Sequence, residues 1–367
     1  MDRQQALRNS LPPMAAPVIP PPRGRGRASF TPVSWDSYFD SQRRISVGNN
    51  VFNIYEKGRE GPILFLIHGG GFSALSWALF SKAITDIVPC RCIALDLRGH
   101  GDTVTEDDSD LSAETLSRDI GDVLQALYPG DSCPPVILVG HSLGGAVAVH
   151  AASRNLIPSL AGLVVIDVVE GTALDSLTTM EALVRGRPGR FLSVENAIEW
   201  SFRSGHIKNP ESACVSMIGQ LRVIPAGEQL PGTSADMGHT VNTTGSISED
   251  AEDNAESPPT AAMPGYTWRI DLLKTQPFWT GWFTGLSDLF LGCPVPKLLL
   301  LAGMDRLDKD LTIGQMQGKF QMVVLPKSGH AVQEDQPVKV AEALAIFMVR
   351  NKVARAIATF SPTFPGC

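Results

Sequence analysis

The sequence predicts an α/β fold, a mostly parallel central sheet with helices on both faces and a cap inserted between two strands. Three observations predict it. Continuous apolar runs of four to six residues recur along the chain, as expected of strands covered on both faces. Segments with helical apolar spacing lie between them, the alternation produced by a parallel sheet and its crossover helices. The interval from Gly171 to Leu291 interrupts that rhythm.

Residues 1–30 are rich in Pro, Gly and Arg without apolar periodicity, and are expected to form a disordered tail. They contain no uninterrupted apolar stretch and so do not read as a signal peptide; a cytoplasmic or nuclear location, or both, is expected. The strand-like runs follow as VFNIYEKG, PILFLIHGGG, RCIALD, PVILVGHS, LVVIDVV, KLLLLAGMD and QMVVLPKSGH. Between them, Glu114 to Tyr128 places Leu116, Ile120, Val123, Leu124 and Leu127 on one helical face, and AVAVHAASRN is small and helix-compatible. The expected core comprises residues 31–170 and 292–367, and the cap residues 171–291. That cap offers two helices, LSVENAIEWSFRSG and ESACVSMIGQLRV, and an aromatic-rich segment, GYTWRIDLLKTQPFWTGWF, expected to serve as cap core more than as a peptide-stacking surface. Residues 226–265 carry seven acids and no Lys or Arg and are expected to be a disordered acidic loop.

Composition narrows the function. The net charge of −7 is accounted for by that acidic loop, so no broad basic face for nucleic acid is implied. The apolar runs fall short of the ~20 residues a membrane span needs. The six cysteines are dispersed with no CxxC, which argues against a zinc site or a disulfide framework, and no cofactor is implied.

Gly140-His141-Ser142-Leu143-Gly144 is a G-x-S-x-G that follows one predicted strand and opens a predicted helix. In that context the serine occupies a sharp strand-to-helix turn and its hydroxyl projects above the sheet. The helix N-terminus behind it favours negative charge on an attacked carbonyl. His68-Gly69-Gly70-Gly71 follows an earlier strand and is expected to supply, from Gly70 or Gly71, the second amide of an oxyanion hole whose first amide is that of Leu143.

A serine hydroxyl needs a base. Of the seven histidines, His330, just beyond the last strand, is the candidate: His68, His100, His141, His150, His206 and His239 fall in the glycine loop, a turn, the serine turn, the following helix, the cap and the acidic tract. The orienting acid should follow a strand between Ser142 and His330 in chain order. Asp167 and Asp305 both satisfy that, and spacing alone leans toward Asp305.

The stretches FTPVSWDSYFD, GGGFSALSWALF, IALDLRGHGDT, VGHSLGGAVAVHAAS, VVIDVVEGTALDSL, LSVENAIEW, KLLLLAGMDRLDKDLTIGQMQGKFQM, SGHAVQEDQP and FPGC together resemble the protein phosphatase methylesterase family. The likeness runs from about Phe30 to Cys367 apart from the acidic tract. It implies an α/β-hydrolase fold and removal of the methyl ester from the C-terminal leucine of the protein phosphatase 2A catalytic subunit, which would be the partner. It implies Ser142 as nucleophile, His330 as base and, against the spacing, Asp167 as acid. Leu143 stands where relatives often have Met, which leaves its amide intact. Two other readings compete: a carboxylesterase of broad specificity for small esters, and a non-catalytic module that holds the phosphatase tail. The intact Ser142, His330 and glycine loop count against the second.

Overall fold

The computed structural model describes residues 29–130, 132–225, 265–304 and 307–357. The expected N-terminal tail up to residue 28, nearly all of the acidic loop, and Asp305 lie outside the described residues.

Eight strands form one sheet: β1 (Ser41–Val47), β2 (Asn50–Lys57), β3 (Ile63–Ile67), β4 (Arg91–Leu95), β5 (Val136–His141), β6 (Leu160–Ile166), β9 (Lys297–Leu301) and β10 (Gln321–Val324), in the spatial order β1-β2-β4-β3-β5-β6-β9-β10. β1 and β2 run antiparallel to their neighbours and every other pairing is parallel. The continuous apolar runs are explained by coverage of both faces. Phe65, Leu138, Leu163, Val165 and Leu299 point into one core, beneath α2 (Ala113–Leu127) and α3 (Leu143–Ser153). Their sequence neighbours Leu64, Leu66, Ile137, Val139, Val164 and Leu298 point into a second core, beneath α1 (Ala78–Thr85) and α11 (Pro337–Arg350). With period-two side chains, a strand buried on both sides must be apolar at every position.

β1 is absent from the strands expected on sequence. Arg43 and Arg44 are exposed and only Ile45 is buried within it, so it has neither a continuous apolar run nor clean alternation. It is an antiparallel edge strand, and pairing to β2 rather than burial places it in the sheet.

Between β6 and β9 lie α4 (Glu170–Arg185), α5 (Val194–Ser204), α6 (Pro210–Gln220), the hairpin β7 (Leu221–Val223) and β8 (Tyr266–Trp268), a 3-10 turn over Leu272–Phe278, α7 (Trp279–Phe283) and α8 (Leu286–Gly292). Packing divides this interval. Phe191, Ile198, Ile207 and Met217 form a cluster with Phe72 of the glycine loop. Trp279, Trp282, Phe283 and Phe290 instead enter the same core as α3. There His150 shares a hydrogen bond with the Trp282 carbonyl at 3.1 Å, and the Trp282 indole donates to the Leu111 carbonyl at 2.7 Å. Three of the six aromatics of the segment, Trp279, Trp282 and Phe283, are therefore buried in the core shared with α3. Among the described residues no helix is long and apolar enough to cross a membrane.

Candidate active site

Ser142 separates the end of β5 from the start of α3, with φ 53° and ψ −122°. A left-handed backbone at a residue with a Cβ costs on the order of 1–3 kcal/mol, so the neighbours must hold it. The Ser142 amide donates to the Ile166 carbonyl of β6 at 2.9 Å, and its carbonyl accepts from Gly145 at 2.8 Å. The flanking glycines allow close approach: a Cβ on Gly140 would collide with the Gly144 carbonyl, and one on Gly144 with the carbonyls of Ile67 and His68. Gly144→Ala is therefore expected to cost about 1–3 kcal/mol in urea unfolding. An unchanged midpoint would show that the glycine loop moves freely against α3.

His330 arrives on the loop between β10 and α10 (Val332–Asp335). Its Nε2 lies 2.9 Å from Ser142 Oγ and its Nδ1 2.8 Å from Asp167 Oδ2. A carboxylate only accepts, so Nδ1 carries the proton and Nε2 is free to take one from the serine hydroxyl. The Asp167 side chain is fully buried beneath a half-exposed imidazole. Asp167 also adopts a left-handed φ, 55°, directly after β6, and its Oδ1 accepts from the Ala302 amide at 3.0 Å. Of the two acids open on sequence, Asp167 lies against His330, and Asp305 lies outside the described residues.

Three further groups hold the His330 loop. His141 Nε2 lies 2.8 Å from the His330 carbonyl and donates to it; burial, with the neighbouring imidazole adding to it, pushes the His141 pKa down to about 3, so the ring is neutral. Asp335 accepts from the amides of Gly329 and Lys208, joining this loop to the segment before α6. Glu334 lies wholly buried and accepts from the Ser212 hydroxyl of α6 at 2.8 Å. Burial pushes its pKa up to about 8. From the ordinary carboxyl range to about pH 8 the folded chain thus keeps a proton that the unfolded chain has released. Stability contributed there falls as pH rises through that window and is lost above it, by on the order of a few kcal/mol. In urea melts between pH 5 and 8, Glu334→Gln is expected to flatten this decline. An identical slope in the variant would mean that the carboxyl is ionised throughout.

The glycine loop requires a correction. The Gly71 amide donates to His100 Nε2 at 3.0 Å, so it is not the free donor that the motif allowed, and Gly71 turns through φ 79° to make that contact. Among the described residues Gly70 has no acceptor for its amide, and the Leu143 amide, at the first position of α3, has no preceding turn to bond. These two remain as the candidate pair. His100 is itself braced, its Nδ1 2.8 Å from the Arg98 carbonyl while the Arg98 guanidinium grips Asp119 of α2 at 2.7 and 2.9 Å. Burial pushes the His100 pKa down to about 4, which keeps Nε2 an acceptor. Asp96 accepts from the amides of Asp102 and Ala74 and from Asn53, joining the turn to the segment after the glycine loop. Sequence reasoning placed His100 only beside a turn, because its partner is a backbone amide that leaves no sequence signature.

A separate cleft of about 740 Å³ runs along β10, lined by Lys297, Gln321, Lys339 and Arg350, and none of Ser142, Asp167 or His330 reaches it. Among the described residues no group of three or more His, Cys, Asp or Glu side chains is placed to hold a metal ion.

Residues 64–343 match the model of the alpha/beta hydrolase family. The chain is 55% identical to protein phosphatase methylesterase 1 of Mus musculus over 362 residues, covering 94% of this chain and 91% of that protein. It is 54% identical to protein phosphatase methylesterase 1 of Homo sapiens over the same shares. It is 43% identical to the probable protein phosphatase methylesterase 1 of Caenorhabditis elegans, covering 96% of this chain and 86% of that one. Among solved structures, E-2-(acetamidomethylene)succinate hydrolase aligns with a TM-score of 0.61 at 20% identity, over 84% of this chain and 99% of that chain, a likeness of fold. The chain belongs to the protein phosphatase methylesterase family and is built on the α/β-hydrolase fold.

Proposed function

We propose that this chain is a serine carboxylesterase that removes the methyl ester from the C-terminal leucine of the protein phosphatase 2A catalytic subunit, with Ser142 as nucleophile, His330 as general base and acid, and Asp167 as the orienting carboxylate. The observation that carries this reading is the continuous chain of hydrogen bonds from Ser142 Oγ through His330 to Asp167, at 2.9 and 2.8 Å.

His330 Nε2 takes the hydroxyl proton as Ser142 Oγ attacks the ester carbonyl. The imidazolium that forms faces a buried carboxylate, and the new oxyanion meets the amides of Leu143 and Gly70. His330 then gives its proton to the methoxy oxygen and methanol leaves. Water attacks the acyl-serine with the same imidazole as base, and the second collapse returns the proton to Ser142 and frees a leucine carboxylate. The half-exposed imidazole suits a site that water must enter for this second step.

A methyl group offers little binding energy, so selection falls to the peptide and the phosphatase surface. Described residues of the segment inserted before β9 border the glycine loop beside Ser142: Leu272 and Arg187 lie next to Gly71, and Phe191, Ile198 and Met217 cluster with Phe72. Methanol release from the methylated phosphatase, with fluorophosphonate labelling at Ser142, tests the proposal. Labelling elsewhere, or methanol release that persists without Ser142, would refute it.

A further inference from the structure

Arg187 lies in the turn that follows α4, and its guanidinium has no acceptor among the described residues. Its carbon sits 3.5 Å from the centroid of the Trp268 ring, while Nε and Nη2 are buried without a hydrogen-bond partner. The remaining nitrogen, Nη1, lies 3.5 Å from the point where a side chain on Gly71 would begin, so the charge faces the glycine loop beside Ser142. Burial alone pulls the Arg187 pKa down to about 10, which leaves the group charged at neutral pH.

The platform beneath this cation is rigid. The Trp268 indole donates to the Pro188 carbonyl and the Thr267 hydroxyl to the Gly189 carbonyl, each at 2.8 Å, so β8 pins the turn that carries Arg187. Trp268 meets Phe191 and Trp200 edge-on at 5.4 and 5.5 Å. His206 stacks on Phe72 at 5.1 Å, and burial together with the charge on Arg187 pushes its pKa down to about 4. The guanidinium is therefore the charged member of an otherwise neutral aromatic wall.

Such an arrangement is costly unless something completes it. Cation–π contact offsets part of the cost of withdrawing a cation from water, but for the half-buried Arg187 it leaves the N–H donors of Nε and Nη2 without an acceptor. A residue kept for packing alone would be cheaper as Met or Leu. What completes a planar fork of N–H donors is a carboxylate. A single guanidinium balances a single negative charge, while a phosphate monoester brings roughly two.

We propose that Arg187, seated on Trp268, is the receptor for a carboxylate of the bound peptide, either on the esterified substrate or on the product it becomes, making it a recognition residue for the methylesterase reaction. The inference rests on the esterase reading above. Two carboxylates could fill the role, an acidic side chain upstream of the esterified leucine or the leucine carboxylate freed by hydrolysis.

Binding to the full chain carrying Ser142→Ala separates these sources without turnover. Short peptides ending in leucine methyl ester are compared with a single Asp or Asn moved through the preceding positions, and the free-acid peptide is compared with its C-terminal amide. If the side chain is the ligand, Asp at one position binds at least about tenfold tighter than Asn, the effect of one charge-assisted pair. If the freed terminus is the ligand, the acid binds tighter than the amide by a similar factor. In either case Arg187→Met and Arg187→Gln bring the ratio to near one and Arg187→Lys restores part of it. No preference in either comparison with Arg187 intact, or a preference that survives both Arg187→Met and Arg187→Gln, overturns the proposal. The comparisons made with Arg187 intact need no second substitution, so a variant that fails to fold does not shield it. Methanol release by the unsubstituted chain is measured separately, so a failure of the esterase reading appears there and not in the binding ratios.

Discussion

Ser142→Ala is expected to lower the rate of methanol release from the methylated phosphatase by about 10⁴- to 10⁶-fold, the loss seen when the nucleophile of a serine triad is removed. Residual turnover would come from the Leu143 and Gly70 amides, which can still polarise a bound ester toward water. The fold should survive, since the backbone of Ser142 rather than its hydroxyl holds the turn, through Ile166 and Gly145. The discriminating measurement is therefore kcat together with an unfolding curve. A variant of native stability that kept more than a tenth of its turnover would remove Ser142 from the chemistry.

Asp167→Asn is expected to cost about 10⁴-fold in kcat at neutral pH. The physical reason is the tautomer. Asp167 Oδ2 accepts from His330 Nδ1 at 2.8 Å and so leaves Nε2 unprotonated toward Ser142. An amide can turn its NH₂ group toward Nδ1, which places the ring proton on Nε2 and deprives the hydroxyl of its base. The imidazolium also loses a buried countercharge. Asp305→Asn is the comparison. A larger loss there than at Asp167 would reverse the assignment of the acid.

That assignment shows where reading a sequence stops. Chain order limited the acid to a residue after a strand between Ser142 and His330, and left Asp167 and Asp305 open with spacing on the side of Asp305. Only the family resemblance pointed to Asp167. No spacing tells that the turn after β6 takes a left-handed φ at Asp167 and so carries its carboxylate to His330. The glycine loop is a second case. The motif licensed either Gly70 or Gly71 as donor, and the choice fell to His100, 29 residues away, whose ring occupies the Gly71 amide. Arg187 is a third, because an arginine in a polar turn is unremarkable until the fold seats it on Trp268 without an anion.

What could be read from the chain alone was what depends on local pattern. Apolar runs marked the strands covered on both faces, helical spacing marked α2, and glycines around one serine marked a turn too tight for Cβ atoms. Those features are legible because burial and steric exclusion act residue by residue. The partners that position His330, Gly71 and Arg187 come from distant segments and meet through backbone atoms or aromatic faces. No spacing encodes such meetings, so the packing of the sheet and of the segments inserted before β9 had to decide them.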